Sequence, residues 1–111
     1  MEFGLARVAP DVEWIETEAE NIPAHGTFTS PQGVLEGVFA KIPEHFESFE
    51  LHPELWIEHG DDVAVTGRIR ARTHSGHDLN APYAHVFTVK GGKVSRTDNS
   101  HDTALWQAAL A

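Results

Sequence analysis

The sequence has no cysteine and few cationic residues. Without cysteine the chain has no disulfide framework and no thiol nucleophile, and the redox compartment stays open. Eight basic residues stand against seventeen acidic ones, which gives a formal charge of −9. We expect neither nucleic acid nor an anionic membrane as a partner, because Lys and Arg supply most of the affinity for phosphates.

Leader and cofactor motifs are missing as well. The first residues contain no basic stretch followed by an apolar run, so we expect no signal peptide and no membrane span, and take a cytoplasmic location as the default. There is no glycine-rich phosphate loop, serine nucleophile elbow or dinucleotide fingerprint. The eight histidines form neither His-x-His with a following Glu nor His-Glu-x-x-His. We therefore predict no metal and no cofactor.

Length and composition fit one globular domain over residues 1–111. The chain is 41% apolar and 23% charged, an ordinary globular composition. A domain of this length buries roughly two-thirds of the surface of its unfolded chain. That is enough for one hydrophobic core.

Alternating apolar and polar residues dominate the second half, which is the period of a half-buried strand. The pattern predicts strands near 62–74, 80–90 and 93–101, with Gly91 and Gly92 as a hairpin turn. A helix over 103–110 follows, with Asp102 as its N-cap. In the first half we predict a helix over 2–9, a strand over 11–17 and a loop over 21–29 with at most a short strand. Ser30 and Pro31 start a helix over 31–42 that Pro43 ends, and a strand over 46–58 bends at Pro53.

Four stretches in order resemble the SnoaL-like family of the ketosteroid-isomerase and nuclear-transport-factor-2-like superfamily. They are Ala9-Pro-Asp-Val-Glu-Trp-Ile-Glu16, Gly60-Asp-Asp-Val-Ala-Val-Thr-Gly-Arg68, Ala84-His-Val-Phe-Thr-Val-Lys-Gly-Gly-Lys-Val94 and Asp102-Thr-Ala104. The resemblance implies an α+β fold, in which a strongly curved antiparallel sheet forms a cone-shaped half-barrel around helices, with an internal pocket. Only ten residues precede Asp11, so the family's first helix is expected to be short or missing. The pocket is then open at one end, or a partner subunit covers it.

By that resemblance, Glu16 stands where ketosteroid isomerases keep a general base, and His85 where they keep the acid that stabilises an oxyanion. A carboxylate beside Trp14 in an apolar cavity has a raised pKa and is a better base near neutral pH. A histidine on an apolar strand face donates or shuttles a proton. The alternatives are a solvated Glu16 at the cavity rim and a His85 that is a satisfied core residue.

Further candidate ligand-binding residues are expected around these two. The aromatic ones would form the apolar wall, His25 would reach the pocket mouth from a loop, and Asn99 lies at the end of the last strand. Asp102 is either a helix cap or a base. Epoxide hydrolases of this superfamily need two aspartates around an arginine. Arg70 and Asn99 stand where those aspartates should be, so we do not expect epoxide hydrolysis. The ligand-binding set is Trp14, His25, Phe39, Tyr83, Phe87 and Asn99.

The outer face of the predicted sheet carries Arg68, Arg70 and Arg72. We expect this stripe to pair with acidic residues, either on the outer face of the sheet or across the interface of a homodimer, with Glu50, Glu54 or Glu58 as partners. Two functions remain open at this point. The chain either binds a small hydrophobic molecule without catalysis, or it is a cofactor-independent isomerase or polyketide-type cyclase acting on a small apolar carbonyl compound.

Overall fold

The computed structural model describes residues 7–16 and 25–111. Its six strands form one sheet, with three short helices and a π-helical turn between or after them. The strands are β1 (Val8–Glu16), β2 (Gly26–Phe28), β3 (Phe46–His59), β4 (Asp62–Thr73), β5 (Asp78–Lys90) and β6 (Lys93–His101). The helices are α1 (Pro31–Val34), α2 (Lys41–His45) and α3 (Thr103–Leu110), and the π-helical turn is Leu35–Phe39.

The strand order across the sheet is β2-β1-β6-β5-β4-β3. This curved sheet with its helices confirms the predicted α+β fold. The expectation of a wholly antiparallel sheet is wrong for one pair, because β1 and β6 run parallel. Antiparallel direction is imposed where a short turn joins neighbouring strands, as between β5 and β6. No such turn joins β1 to β6, since the other strands and the helical segment separate them in the chain.

Two predicted helices differ from those in the structure. The helix over 2–9 is wrong at Val8 and Ala9, which begin β1, and residues 2–6 lie outside the described part of the chain. The helix over 31–42 is divided by the π-helical turn and continues through Pro43 to His45. Pro43 lies in the first turn of α2. A proline is tolerated there because its missing N–H would have no intrahelical acceptor.

One face of the sheet forms the core. Paired positions place Ile69 opposite Ala81 and Gly67 opposite Tyr83, and these residues are buried. Trp106 and Ala109 of α3 pack on the same cluster. A second cluster joins Val12 and Trp14 of β1 to the helical segment. The two clusters cover the two halves of one concave surface.

The antiparallel pairing of β3 with β4 is irregular near Pro53. The register between these strands shifts between Pro53 and Leu55, at the predicted bend. A Cβ added at Gly67 would lie 2.2 Å from the carbonyl oxygen of His52. Only glycine allows the two backbones to approach so closely there.

Two of the three arginines in the stripe, Arg68 and Arg72, have side-chain partners within the chain. Arg72 pairs with Glu47 and Asp78, both at 3.0 Å. Arg68 donates to the side chain of Asn80 at 2.7 Å, and Arg70 lies directly opposite Glu50 in the β3–β4 ladder.

No helix in the described part of the chain has the length and apolar character needed to cross a membrane.

Candidate functional site

Strand register brings the candidate residues onto one row of the concave face. Val65, His85 and Asn99 occupy directly paired positions on β4, β5 and β6. On the far side of β6, Trp14 pairs with Thr97, so Glu16, two residues further along β1, lies beside Asn99. The side-chain amide of Asn99 donates to Glu16 Oε2 at 2.8 Å. Glu16 and His85 thus flank Asn99 from opposite sides.

These residues line a cavity of about 100 Å³ between the sheet, the helical segment 31–45 and α3. Most of its wall is aliphatic or aromatic, including Phe39, Phe46, Phe49 and Trp106. Its polar wall consists of Glu16, Lys41, His85, Asn99 and His101. An apolar pocket with a few convergent polar groups is the usual composition of a small-molecule site.

The Glu16 carboxyl is buried, with 5% of its surface exposed. Burial disfavours the charged form and raises the pKa of Glu16 to about 7. Hydrogen bonds from Asn99 and Trp14 act in the opposite direction, because they stabilise the carboxylate. Glu16 is therefore half ionised near neutral pH and is not a solvated residue at the rim.

Two histidines meet on the other side of the cavity. His85 Nε2 and His101 Nε2 are 3.5 Å apart. Burial, with a smaller contribution from His101, lowers the pKa of His85 to about 3. Burial lowers the pKa of His101 to about 4. Both rings are neutral at pH 7, so an Nε2–H on one can donate to the bare Nε2 of the other.

Aromatic rings hold the two imidazoles in place. The centroid of the His85 ring lies 4.6 Å from that of Tyr83 and 5.9 Å from that of Phe87. The His101 ring lies 5.1 Å from Trp106 at an interplanar angle of 32°. These contacts restrict ring rotation and keep the two Nε2 atoms together.

The structure brings six of the eight predicted site residues to the cavity. They are Trp14, Glu16, Phe39, His85, Phe87 and Asn99. Tyr83 contacts His85 but is not part of the cavity wall. It lies one row away, opposite Gly67 and His101, and lines a separate, open groove instead. His25 is exposed at the start of β2 and is not part of the cavity wall either.

The sequence prediction omits His101 from the site. The signal for it is the period-2 alternation of β6, which places residue 101 on the same face as Asn99. Asp102, by contrast, caps α3, since its carboxylate accepts from the Leu105 N–H at 3.1 Å. Within residues 7–16 and 25–111, no cluster of three or more His, Cys, Asp or Glu residues is arranged to hold a metal ion.

The profile of the SnoaL-like domain family matches residues 2–97. The chain belongs to the SnoaL-like domain family. The stretch that matches includes Glu16 and His85 and ends before Asn99 and His101. No curated protein matches the sequence significantly.

Solved structures of SnoaL-like and nuclear-transport-factor-2-like proteins share the fold. An NTF2-like protein of unknown function from Burkholderia pseudomallei is 25% identical with a TM-score of 0.88, covering 96% of this chain and 82% of its own. An NTF2-like protein from Burkholderia thailandensis is 27% identical with a TM-score of 0.88 and the same coverage. TerC, co-crystallized with polyporic acid, is 29% identical with a TM-score of 0.84, again covering 96% and 82%.

The raised pKa of Glu16 predicts a pH-dependent stability. The pKa of Glu16 in the folded protein, about 7, lies above the ordinary glutamate value of 4.5. The folded protein therefore binds more protons than the unfolded chain between these pH values, and it loses stability as the pH rises through them. Glu16→Gln removes this loss. Relative to wild type, the variant should therefore gain about 3 kcal/mol in free energy of unfolding between pH 4.5 and pH 8. Urea titrations at a series of pH values measure this difference.

Glu13→Gln is the matched control, because Glu13 lies on the same strand but on the exposed face, paired with Arg96. Its effect should not follow the Glu16→Gln profile. A constant difference between Glu16→Gln and wild type across this range would show that Glu16 ionises as it does in water.

Proposed function

We propose that this SnoaL-like protein binds a small apolar molecule that carries one or two polar groups. The observation that carries this proposal is the composition of the cavity, which has an apolar wall on most sides and a short polar row on the sheet. The apolar wall favours a ligand whose surface is mostly uncharged, because it offers charged groups no replacement for water. The polar row supplies donors and acceptors that fix the orientation of the ligand.

The comparisons support the same class of function. TerC, similar in fold and 29% identical in sequence, was co-crystallized with polyporic acid. Polyporic acid was crystallized with TerC and not with this protein, and it is proposed here only as a probe of the cavity. The negative charge of this chain also accords with a neutral apolar ligand better than with a nucleic acid or an anionic membrane.

Tryptophan fluorescence offers a direct test, because Trp14 and Trp106 line the cavity while Trp56 is 63% exposed on β3. Titration with polyporic acid and with the dye ANS, an aromatic body that carries one sulfonate, should change the emission and saturate. Trp14→Phe should reduce the amplitude, because it removes one reporter from the cavity wall. Trp56→Phe is the control and should leave the binding curve unchanged in midpoint. Equal losses for both variants, or no saturation with either probe, would contradict the proposal.

A second candidate, cofactor-independent acid–base catalysis, is favoured by the ionisation of Glu16. A base is most effective when its pKa lies near the working pH, and burial raises the pKa of Glu16 to about 7. In this candidate, Glu16 removes a proton from the carbon next to a ligand carbonyl, and an imidazole N–H of the histidine pair donates to the oxygen that becomes negative. An isomerase and a polyketide-type cyclase share this step.

Proton abstraction is detectable without knowing the natural substrate. We expect the protein to catalyse exchange of the α-hydrogens of small apolar ketones with deuterium, followed by NMR, with a rate that rises as pH increases through about 7. Glu16→Gln should lower the rate at least about a hundredfold, since general base catalysis contributes roughly 10² to 10⁴. Glu13→Gln should keep the wild-type rate. Bound ketone without exchange above the buffer rate would leave binding alone as the function.

For the assembly, we propose a homodimer through the convex face of β3, β4 and β5. Leu55, Ile57 and Val86 are 52%, 55% and 42% exposed. Ile57 and Val86 flank Ala64 in the ladder, so they form a continuous apolar strip on the face opposite the cavity. Because Arg68 and Arg72 already have partners within the chain, apolar contact is the better source of affinity than cross-chain ion pairs.

Sedimentation at micromolar concentration should give a dimer, and Ile57→Glu should shift it to monomer by placing an unpaired charge in the interface. Trp56→Glu is the matched control, because Trp56 lies opposite Val65 on the concave side and its substitution should leave the dimer intact. A monomeric wild-type protein at moderate salt would show that the strip is only solvated surface.

A further inference from the structure

His101 lies between two separate spaces in the structure. It contributes to the wall of the inner cavity and also to the wall of an open groove of about 540 Å³ outside it. His85 contributes to the inner cavity. The groove is polar on the side of His101, where Ser100 and Asp102 line it. Through its contact with His85, with 3.5 Å between the two Nε2 atoms, His101 links a residue of the groove wall to a residue of the cavity wall.

We propose that His101 and His85 form a two-imidazole proton relay between the outer groove and the ligand cavity. The relay would serve the acid–base function proposed above, and its biological role rests on that function. Exchange of a ligand α-hydrogen with solvent deuterium requires that the proton taken up by the base leaves the mostly apolar cavity and a solvent deuteron enters it. The polar row of the cavity offers the histidine pair as the route.

The transfer is balanced in protons. In the starting state, His101 carries its hydrogen on Nε2 and His85 carries its hydrogen on Nδ1. A proton from the groove binds His101 Nδ1, the His101 Nε2–H passes to His85 Nε2, and His85 releases its Nδ1 proton on the cavity side. Each ring ends neutral with its hydrogen on the other nitrogen. The pair is then set to carry one proton outwards by the reverse steps.

Three features of the site support a relay over a static hydrogen bond. Both rings are neutral near pH 7 because burial lowers their pKa values, so neither traps the proton as a stable cation. The flanking rings of Tyr83 and Trp106 hold the two Nε2 atoms in contact. A bound metal between these nitrogens would need further ligands, and no group of three metal-binding side chains occurs in the described part of the chain.

The test measures exchange of the His85 ring N–H with water by NMR on protein with ¹⁵N-labelled histidine, without any ligand. His101→Gln preserves the distance from the backbone to a nitrogen at the Nε2 position and can hydrogen-bond His85, but an amide cannot relay a proton at neutral pH. We expect exchange at the His85 ring to slow at least tenfold in this variant. His59→Gln, at the exposed end of β3, is the control and should not change the rate.

A second variant separates the relay from packing. His101→Ala should slow the exchange as well, and free imidazole should restore it in proportion to its concentration by entering the vacated space from the groove. An unchanged rate in His101→Gln, with wild-type backbone spectra, would overturn the proposal, because water from the cavity mouth would then serve His85 directly. Two rings that both carry hydrogen on Nδ1 would also overturn it. Since no ligand is present, this outcome is independent of whether ketone exchange or probe binding succeeds.

Discussion

The site depends on holding one carboxyl group out of water. Glu16 is the last residue of β1, and the parallel pairing of β1 with β6 places it beside Asn99. An ionised carboxylate in such surroundings is costly unless its lone pairs are satisfied. The amide of Asn99 and the indole of Trp14 reduce this cost without removing it, which is why the pKa rises to about 7 and not higher. The register of one strand pair therefore sets the chemistry of the cavity.

Burial shifts the pKa of Glu16 and the pKa values of the two histidines in opposite directions, but it favours the neutral form in each case. It raises the pKa of Glu16 and lowers those of His85 and His101, because in each case it disfavours the charged form. Near pH 7 the histidine pair is neutral and Glu16 is at its midpoint. At pH 7 the sheet side of the cavity therefore holds two neutral imidazoles and one carboxyl group that is uncharged in about half of the molecules.

The sequence predicts which residues form strands better than it predicts which distant residues become neighbours in the site. Alternation along β5 and β6 is enough to place His85 and Asn99 on one face, because side-chain direction has a period of two in any strand. It does not reveal the neighbour of β6 on its other edge, since a parallel partner distant in sequence leaves no turn signal. The diagonal contact of His85 with His101 and the position of Tyr83 outside the cavity wall depend on how neighbouring strands pack in three dimensions. The close backbone approach at Gly67 is another such feature that the pattern of a single sequence does not reveal.

The bulge in β3 decides which side chains face the cavity and which face outwards. Before it, Leu51 lies opposite Ile69 on the concave face, and after it Trp56 lies opposite Val65 on that same face. The inward positions change from odd to even numbers, because the extra residue between Pro53 and Leu55 shifts the alternation by one. An uninterrupted strand would have turned Leu55 and Ile57 towards the cavity and Trp56 outwards. The convex apolar strip therefore arises from one backbone irregularity, and the glycine at position 67 makes room for it.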